Sequence, residues 1–421
     1  MPKFKSLRRA RRALPIFAIA LSIGTVACGG ESSEDSVGPA ANEILAGAGL
    51  DANEARSALL EALREPDPFV STERLAKLLP TLGPGGARVV QVMLEDIDLH
   101  FRPAEIDLFV RYWALHVPED ATRWALIAHE DFRQSAIMAA FETWSRSDPQ
   151  AAIQALIVSG STSKATMNAL IRGWYAAKVP GLTDYIRDFG QSIERQRALN
   201  VLARAMINQD GVKAATEWAE SLPDEPASFK LAAYRQLGSE LAKVDTAAAT
   251  AWCDAHCEDE KFGNNVRERI AHQWAKRDGR GAMEWLRKAP AGSERDGAVR
   301  AAFRGWRVYD QKALFAWFSE FKPEGLPEWL HPAAGIYAMG ISWDEPVEAL
   351  EWAKLVPDPE NRDLAMLTIA RRWREVDPEG AEAWLAQSPL SEDQRAKARV
   401  FPDAYRGRKT GVELNEQKPT S

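Results

Sequence analysis

The chain has 421 residues, of which 46% are hydrophobic and 27% charged, with a formal net charge of −7. This composition can bury a large core without membrane spans, and its acidic balance disfavours nucleic acid as a partner. The 15 Trp are an unusually high share, so indole rings have a recurrent use.

The chain opens with an export pattern. Lys3, Lys5, Arg8, Arg9, Arg11 and Arg12 precede an apolar stretch from Ala13 to Ala27, too short to span a bilayer. It ends in Thr25-Val26-Ala27-Cys28-Gly29, similar to a bacterial lipobox, in which the Cys is lipidated and becomes the N-terminus. Thr25 stands where that motif usually has Leu, so cleavage after Ala27 without lipid and a retained anchor are the alternatives. Loss of residues 1–27 removes six basic and no acidic residues, taking the formal charge from −7 to −13. The expected location is the bacterial cell envelope, with Gly29 after the Cys favouring the outer membrane, facing the periplasm.

Residues 1–28 are thus the signal, and residues 29–42, small, polar and acidic, read as a flexible tether with a reach of about 20 Å. Residues 43–102 form a helical N-terminal cap region, with helices expected over Asn53–Leu63, Ser71–Leu79 and Ala87–Leu94, separated by Pro and Gly. Residues 103–406 carry a repeat, and 407–421 are a polar, disordered tail.

The repeat is plainest in Trp373-Arg-Glu-Val-Asp377-Pro378-Glu-Gly-Ala381-Glu-Ala-Trp384-Leu385-Ala-Gln-Ser-Pro389. Trp113 and Trp124, Trp274 and Trp285, and Trp306 and Trp317 keep the same spacing of 11. Other units replace one or both members: Trp144 with Ala155, Trp174 with Tyr185, Ile207 with Trp218, Leu241 with Trp252, and Ile341 with Trp352. Counted from the second member, the steps are 31, 30, 33, 34, 33, 32, 35 and 32. A period near 33 over nine units is that of helix-turn-helix repeats.

Each repeated letter has a physical reason. Asp148, Asp245, Asp278, Asp310 and Asp377, seven before the anchor, are placed to cap the second helix, and Asp210 and Asp344 lie one residue earlier. Pro149, Pro346 and Pro378 suit the first helical position, and Pro223, Pro290, Pro357 and Pro389 end that helix. Ala121, Ala152, Ala215, Ala249, Ala282, Ala349 and Ala381, three before the anchor, allow close helix approach. First helices carry matching apolar stripes such as Ala365, Met366, Ile369, Ala370 and Trp373. One hairpin cannot bury two stripes, so neighbours must stack, with the Trp series as the core. The fold class expected is all-α: an α-solenoid of about nine helix-turn-helix repeats behind the cap region.

On these residues the chain resembles tetratricopeptide-type α-solenoid repeat proteins, and more closely the uncharacterised bacterial Trp-rich repeat lipoproteins with the pattern W…DP..A..WL…P. The resemblance covers about residues 103–406, although the Trp anchor and Asp-Pro cap depart from the tetratricopeptide pattern. It implies protein or peptide binding and carries over no catalytic residue.

The candidate chemistry is sparse. Cys253 and Cys257, with His256 between them, are an incomplete zinc set; helix packing or a local disulfide are the plainer readings. Glu95, Asp96, Asp98 and His100 match no Ca²⁺ loop, and Gly83-Pro84-Gly85-Gly86 lacks the Lys-Ser/Thr of a phosphate loop. Arg111, Arg172, Arg304 and Arg371 recur two residues before the first-helix marker, about 160° from the buried ring at 100° per residue. They form a candidate partner-binding ladder for carboxylates, or else simply pair with nearby acids.

The expected function is a non-enzymatic cell-envelope lipoprotein, lipidated at Cys28, acting as a protein- or peptide-binding scaffold. No metal, cofactor or nucleic acid is expected, and the membrane is reached only through the N-terminal lipid. The alternative is an all-α enzyme or binding protein for envelope polysaccharide or peptidoglycan, which would need exposed aromatic rings along a groove.

Overall fold

The computed structural model describes residues 51–96, 98–160, 163–258 and 265–400. The signal, Cys28, the tether and the C-terminal tail fall outside these residues. Among the described residues the chain is helical throughout, with 20 α-helices, three short 3₁₀ turns and no strand.

Helices α1 (Ala52–Leu63), α2 (Pro68–Leu78) and α3 (Gly86–Glu95) match the three expected in the cap region within a few residues. Pro68 begins α2 rather than breaking a helix, because Asp67 Oδ1 caps it through the Phe69 N–H at 2.8 Å. The next helix, α4 (Pro103–His116), is tied to this region by a buried carboxylate. Glu105 accepts from Ser71 Oγ at 2.8 Å and pairs with Arg102 at 2.9 Å, while Arg102 also donates to the Glu65 carbonyl at 2.6 Å.

From α4 onward, long and short helices alternate as hairpins. α4 is followed by α5 (Pro118–Ile127), α6 (Glu130–Ser147) by α7 (Pro149–Ser159), and α8 (Lys164–Ala176) by α9 (Leu182–Arg187). In α10 (Ile193–Ser221) a whole hairpin runs together, broken only by the non-helical Gly211. Then come α11 (Ala227–Val244) with α12 (Thr246–His256), and α13 (Val266–Ala275) with α14 (Gly279–Arg287). α15 (Ser293–Phe318) is another merged pair, interrupted at Asp310. α16 (His331–Ile341) with α17 (Pro346–Ala353), α18 (Pro359–Val376) with α19 (Pro378–Gln387), and a final α20 (Glu392–Arg399) complete the series. Packing joins each first helix to the next, as α4 to α6, α6 to α8, α11 to α13 and α18 to α20.

One residue makes most of the hairpin bends. At Val117, Asp148, Asp245, Asp278, Asp310, Glu345 and Asp377, φ lies between −129° and −151° and ψ between 63° and 97°. For six of these, all but Asp310, the backbone N–H closes the first helix, donating to the marker carbonyl at 2.7–3.0 Å, as Asp148 does to Trp144. The five aspartates open the second helix, each accepting the N–H three residues on at 2.8–3.0 Å. The expectation for Asp210 and Asp344 is corrected: the bends lie at Gly211 and Glu345, so neither Asp caps a second helix. Register from the anchor, not the Asp itself, locates the bend. Gly211 takes φ 87°, a left-handed value open to glycine without steric cost.

The deepest seam also differs from the expected one. All nine residues three before the anchor are buried, with Leu182 and Leu314 serving where Ala is absent, and so are all nine that directly follow it. The latter run Ala125, Leu156, Ile186, Ala219, Cys253, Leu286, Phe318, Ala353 and Leu385. These two positions lie four apart and share one helix face, which presses on the first helices. The anchor rings flank this seam: Trp252, Trp317 and Trp352 are buried, whereas Trp124, Trp218, Trp285 and Trp384 are half-buried. Four of the pairs 11 apart meet as rings, with centroids 6.0 Å apart for Trp113–Trp124, 5.9 Å for Trp274–Trp285, 5.4 Å for Trp174–Tyr185 and 5.3 Å for Trp306–Trp317.

Arginines stitch one unit to the next by filling carbonyls left free at helix ends. Arg133 Nε donates to Ala128 O at 2.7 Å, Arg362 Nε to Val356 O at 2.9 Å, and Arg372 Nη1 to Met339 O at 2.8 Å. Arg277 does the same at the end of α11, donating to the Ala242 and Lys243 carbonyls.

Candidate functional site

The four arginines of the expected ladder are not one surface. Arg111 of α4 and Arg172 of α8 converge on Glu142 of α6, which occupies the same register position in the unit between them. Arg172 Nη2 lies 2.8 Å and Arg111 Nη2 3.5 Å from Glu142 Oε2, and Arg146 adds a third contact at 3.7 Å. Glu142 is largely covered, with its side chain 13% exposed, so the three charges meet where water screens them less. Burial alone would lower the Arg111 pKa, but Asp107 and Glu142 outweigh it and raise the value.

Farther along, the ladder is interrupted by Ala205, Ser239 and His272 at the same position. His272 Nδ1 lies 3.0 Å from the Ala301 carbonyl, and burial lowers its pKa. Arg304 stands 3.9 Å from Glu268, and Arg371 Nε donates to the Lys397 carbonyl at 2.9 Å. The structure therefore brings Arg111 and Arg172 together and leaves Arg304 and Arg371 in separate surroundings.

Cys253 and Cys257 are joined by a disulfide across the end of α12. Cys253 fills the buried position after the Trp252 anchor, as Leu286 and Leu385 do in their units. His256 lies beside Trp252 and reaches Glu220 at 3.1 Å. Among the described residues no group of three His, Cys, Asp or Glu is placed to hold a metal ion. Asp96, from the acidic run, is engaged by Arg56 at 3.0 Å.

A shallow recess of about 240 Å³ opens where the repeat is least regular. In this unit Lys178 stands seven before the Tyr185 anchor, where other units have a capping Asp. It takes φ 57° and Gly181 takes φ 98°, so α9 starts late and has only six residues. Leu182, Leu202 and Met206 floor the gap, and Thr183 and Asp184 edge it. Asp210 of the next unit, freed from capping, accepts from both Tyr175 Oη and Lys178 Nζ, and the Lys178 ammonium sits 3.9 Å from the Tyr175 ring centroid. Those two donors hold the Asp210 pKa below its ordinary value. The recess thus offers an apolar floor with its cation already matched to a carboxylate. Reading the register strictly would have exposed Lys178 in the sequence, because it is the one basic residue in a column that otherwise holds acidic residues, Val117 and Gly211.

No family model matches the chain, and comparison with curated proteins and with solved structures likewise finds no match.

Proposed function

We propose that this chain is a non-enzymatic lipoprotein of the bacterial cell envelope, anchored through Cys28, whose hairpins form an α-solenoid of about nine repeats that binds a protein or peptide partner. The observation that carries the reading is the recurrence of one bend geometry at seven hairpins, coupled to packing of each first helix on the next. Repetition of that kind builds an elongated surface, which is how helical repeats take extended ligands. The Lys/Arg-rich start, apolar stretch and Cys28 support export and anchoring.

The polysaccharide alternative would draw on exposed rings. All fifteen Trp lie in described residues and each is buried or half-buried, which favours the protein-binding reading over a sugar-stacking groove.

The test has two arms. Cys28→Ala should abolish fatty-acid labelling and release the chain from the membrane fraction; unchanged labelling would refute the anchor. Small-angle scattering of the purified chain should give a maximum dimension well above that of a compact globule of equal mass, and a globular profile would refute the solenoid.

A further inference from the structure

Among the described residues five charged side chains are buried: Glu105, Arg195, Lys230, Glu240 and Arg267. Four have an opposite charge against them: Glu105 has Arg102, Lys230 has Asp224, Glu240 has Arg204 and Lys243, and Arg267 has Glu258. Arg195, 6% exposed, has none among the described residues. Its Nε has no partner, and Nη2 makes only a marginal contact at 3.4 Å with the Ser228 carbonyl, at the start of α11. A buried guanidinium with no counter-charge is strongly unfavourable unless something neutralises it.

The surroundings are cationic on a second side. Arg187, the last residue of α9, comes over the same ring, with guanidinium carbons 5.1 Å (Arg187) and 6.0 Å (Arg195) from the Phe229 centroid. Arg187 Nη1 holds Asp184 at 2.6 Å, but its Nε is buried without a partner. α11 begins at Ala227 after Pro226, whose side chain supplies no acceptor, and Glu225 takes the Ala227 N–H at 3.3 Å. The positive end of that helix dipole therefore lies at a junction that carries two guanidinium groups, one of them paired with Asp184, and the carboxylate of Glu225.

We infer that the junction of α9, α10 and α11 is an oxyanion-binding site, taking a carboxylate or phosphate group on Arg195 and Arg187 at the start of α11. Each guanidinium keeps N–H donors beyond its contact with the Phe229 ring, and paired donors of that kind suit a planar or tetrahedral oxyanion. The site stands independently of membrane anchoring and of the proposed partner.

The full chain would be titrated with inorganic phosphate and, separately, with acetate, at constant ionic strength set by chloride. Calorimetry would be read beside the Nε–H resonance of Arg195. Saturable binding of either anion, shifting that resonance and weakened about tenfold or more in a folded Arg195→Met, is the expected result. Preference between the two anions identifies the ligand as phosphate-bearing or carboxylate-bearing. No saturable binding of either, or wild-type affinity in folded Arg195→Met, would overturn the site. If Arg195→Met does not fold, the less buried Arg187→Met decides: a severalfold weaker affinity supports the site, and an unchanged affinity overturns it.

Discussion

Gly279 lies against the indole of Trp306, so closely that a Cβ on Gly279 would stand 1.9 Å from Trp306 Cδ2. Gly279 opens α14 directly after the Asp278 cap, and its contact is with the first helix of the next unit. The residue is there for space between units, not for a special backbone angle. Gly279→Ala should therefore destabilise the protein by about 1–3 kcal/mol through overpacking, although Ala is the better helix former. A melting temperature equal to the parent's would show that the ring does not occupy that place.

The capping aspartates can be separated from their look-alikes. Asp148 Oδ1 accepts the Ala151 N–H at 2.9 Å, whereas the bend of α17 belongs to Glu345 and not to Asp344. Asp148→Ala should cost about 1 kcal/mol in denaturant unfolding, and Asp344→Ala close to nothing. Equal losses would contradict the assigned bend.

Burial of the anchor ring differs between units at one repeat position. Trp352 is fully buried, with Nε1 donating to Glu348 at 3.1 Å, while Trp285 is half-buried under Arg267. Trp352→Ala should cost about 3–5 kcal/mol and Trp285→Ala distinctly less. Leu286, fully buried beside Trp285, should lose about 2–5 kcal/mol on truncation to Ala. A larger loss at Trp285 than at Trp352 would reverse the account of the seam.

Glu240 links stability to pH. Burial would raise its pKa, but hydrogen bonds and charge from Lys243 and Arg204 prevail and hold it below its ordinary 4.5. A carboxyl with a depressed folded pKa stabilises the protein above its unfolded pKa and loses that contribution as pH falls through the folded value. Glu240→Gln should thus be less stable than the parent at neutral pH, with the difference shrinking below about pH 4.5. A gap that stayed constant down the acid limb would exclude this linkage.

Much of the fold was legible because its determinants are local. The 11-residue ring spacing, the Asp at the bend and the small residue one turn before the anchor each act within a single hairpin, so one sequence displays them. The helical class, the cap-region helices and five capping aspartates follow from that locality. What the letters alone misplaced were Asp210 and Asp344, where a neighbouring Asp mimicked a cap that register assigns elsewhere.

Only the tertiary structure decided how charges meet. Arg111 and Arg172 are 61 positions apart in the chain, yet both reach Glu142 because stacking places three first helices side by side. Arg195 reads in the sequence like any helix arginine; burial against Phe229 without a carboxylate sets it apart. Periodicity and capping are short-range properties written into each unit, whereas desolvation and ion pairing depend on which units become neighbours.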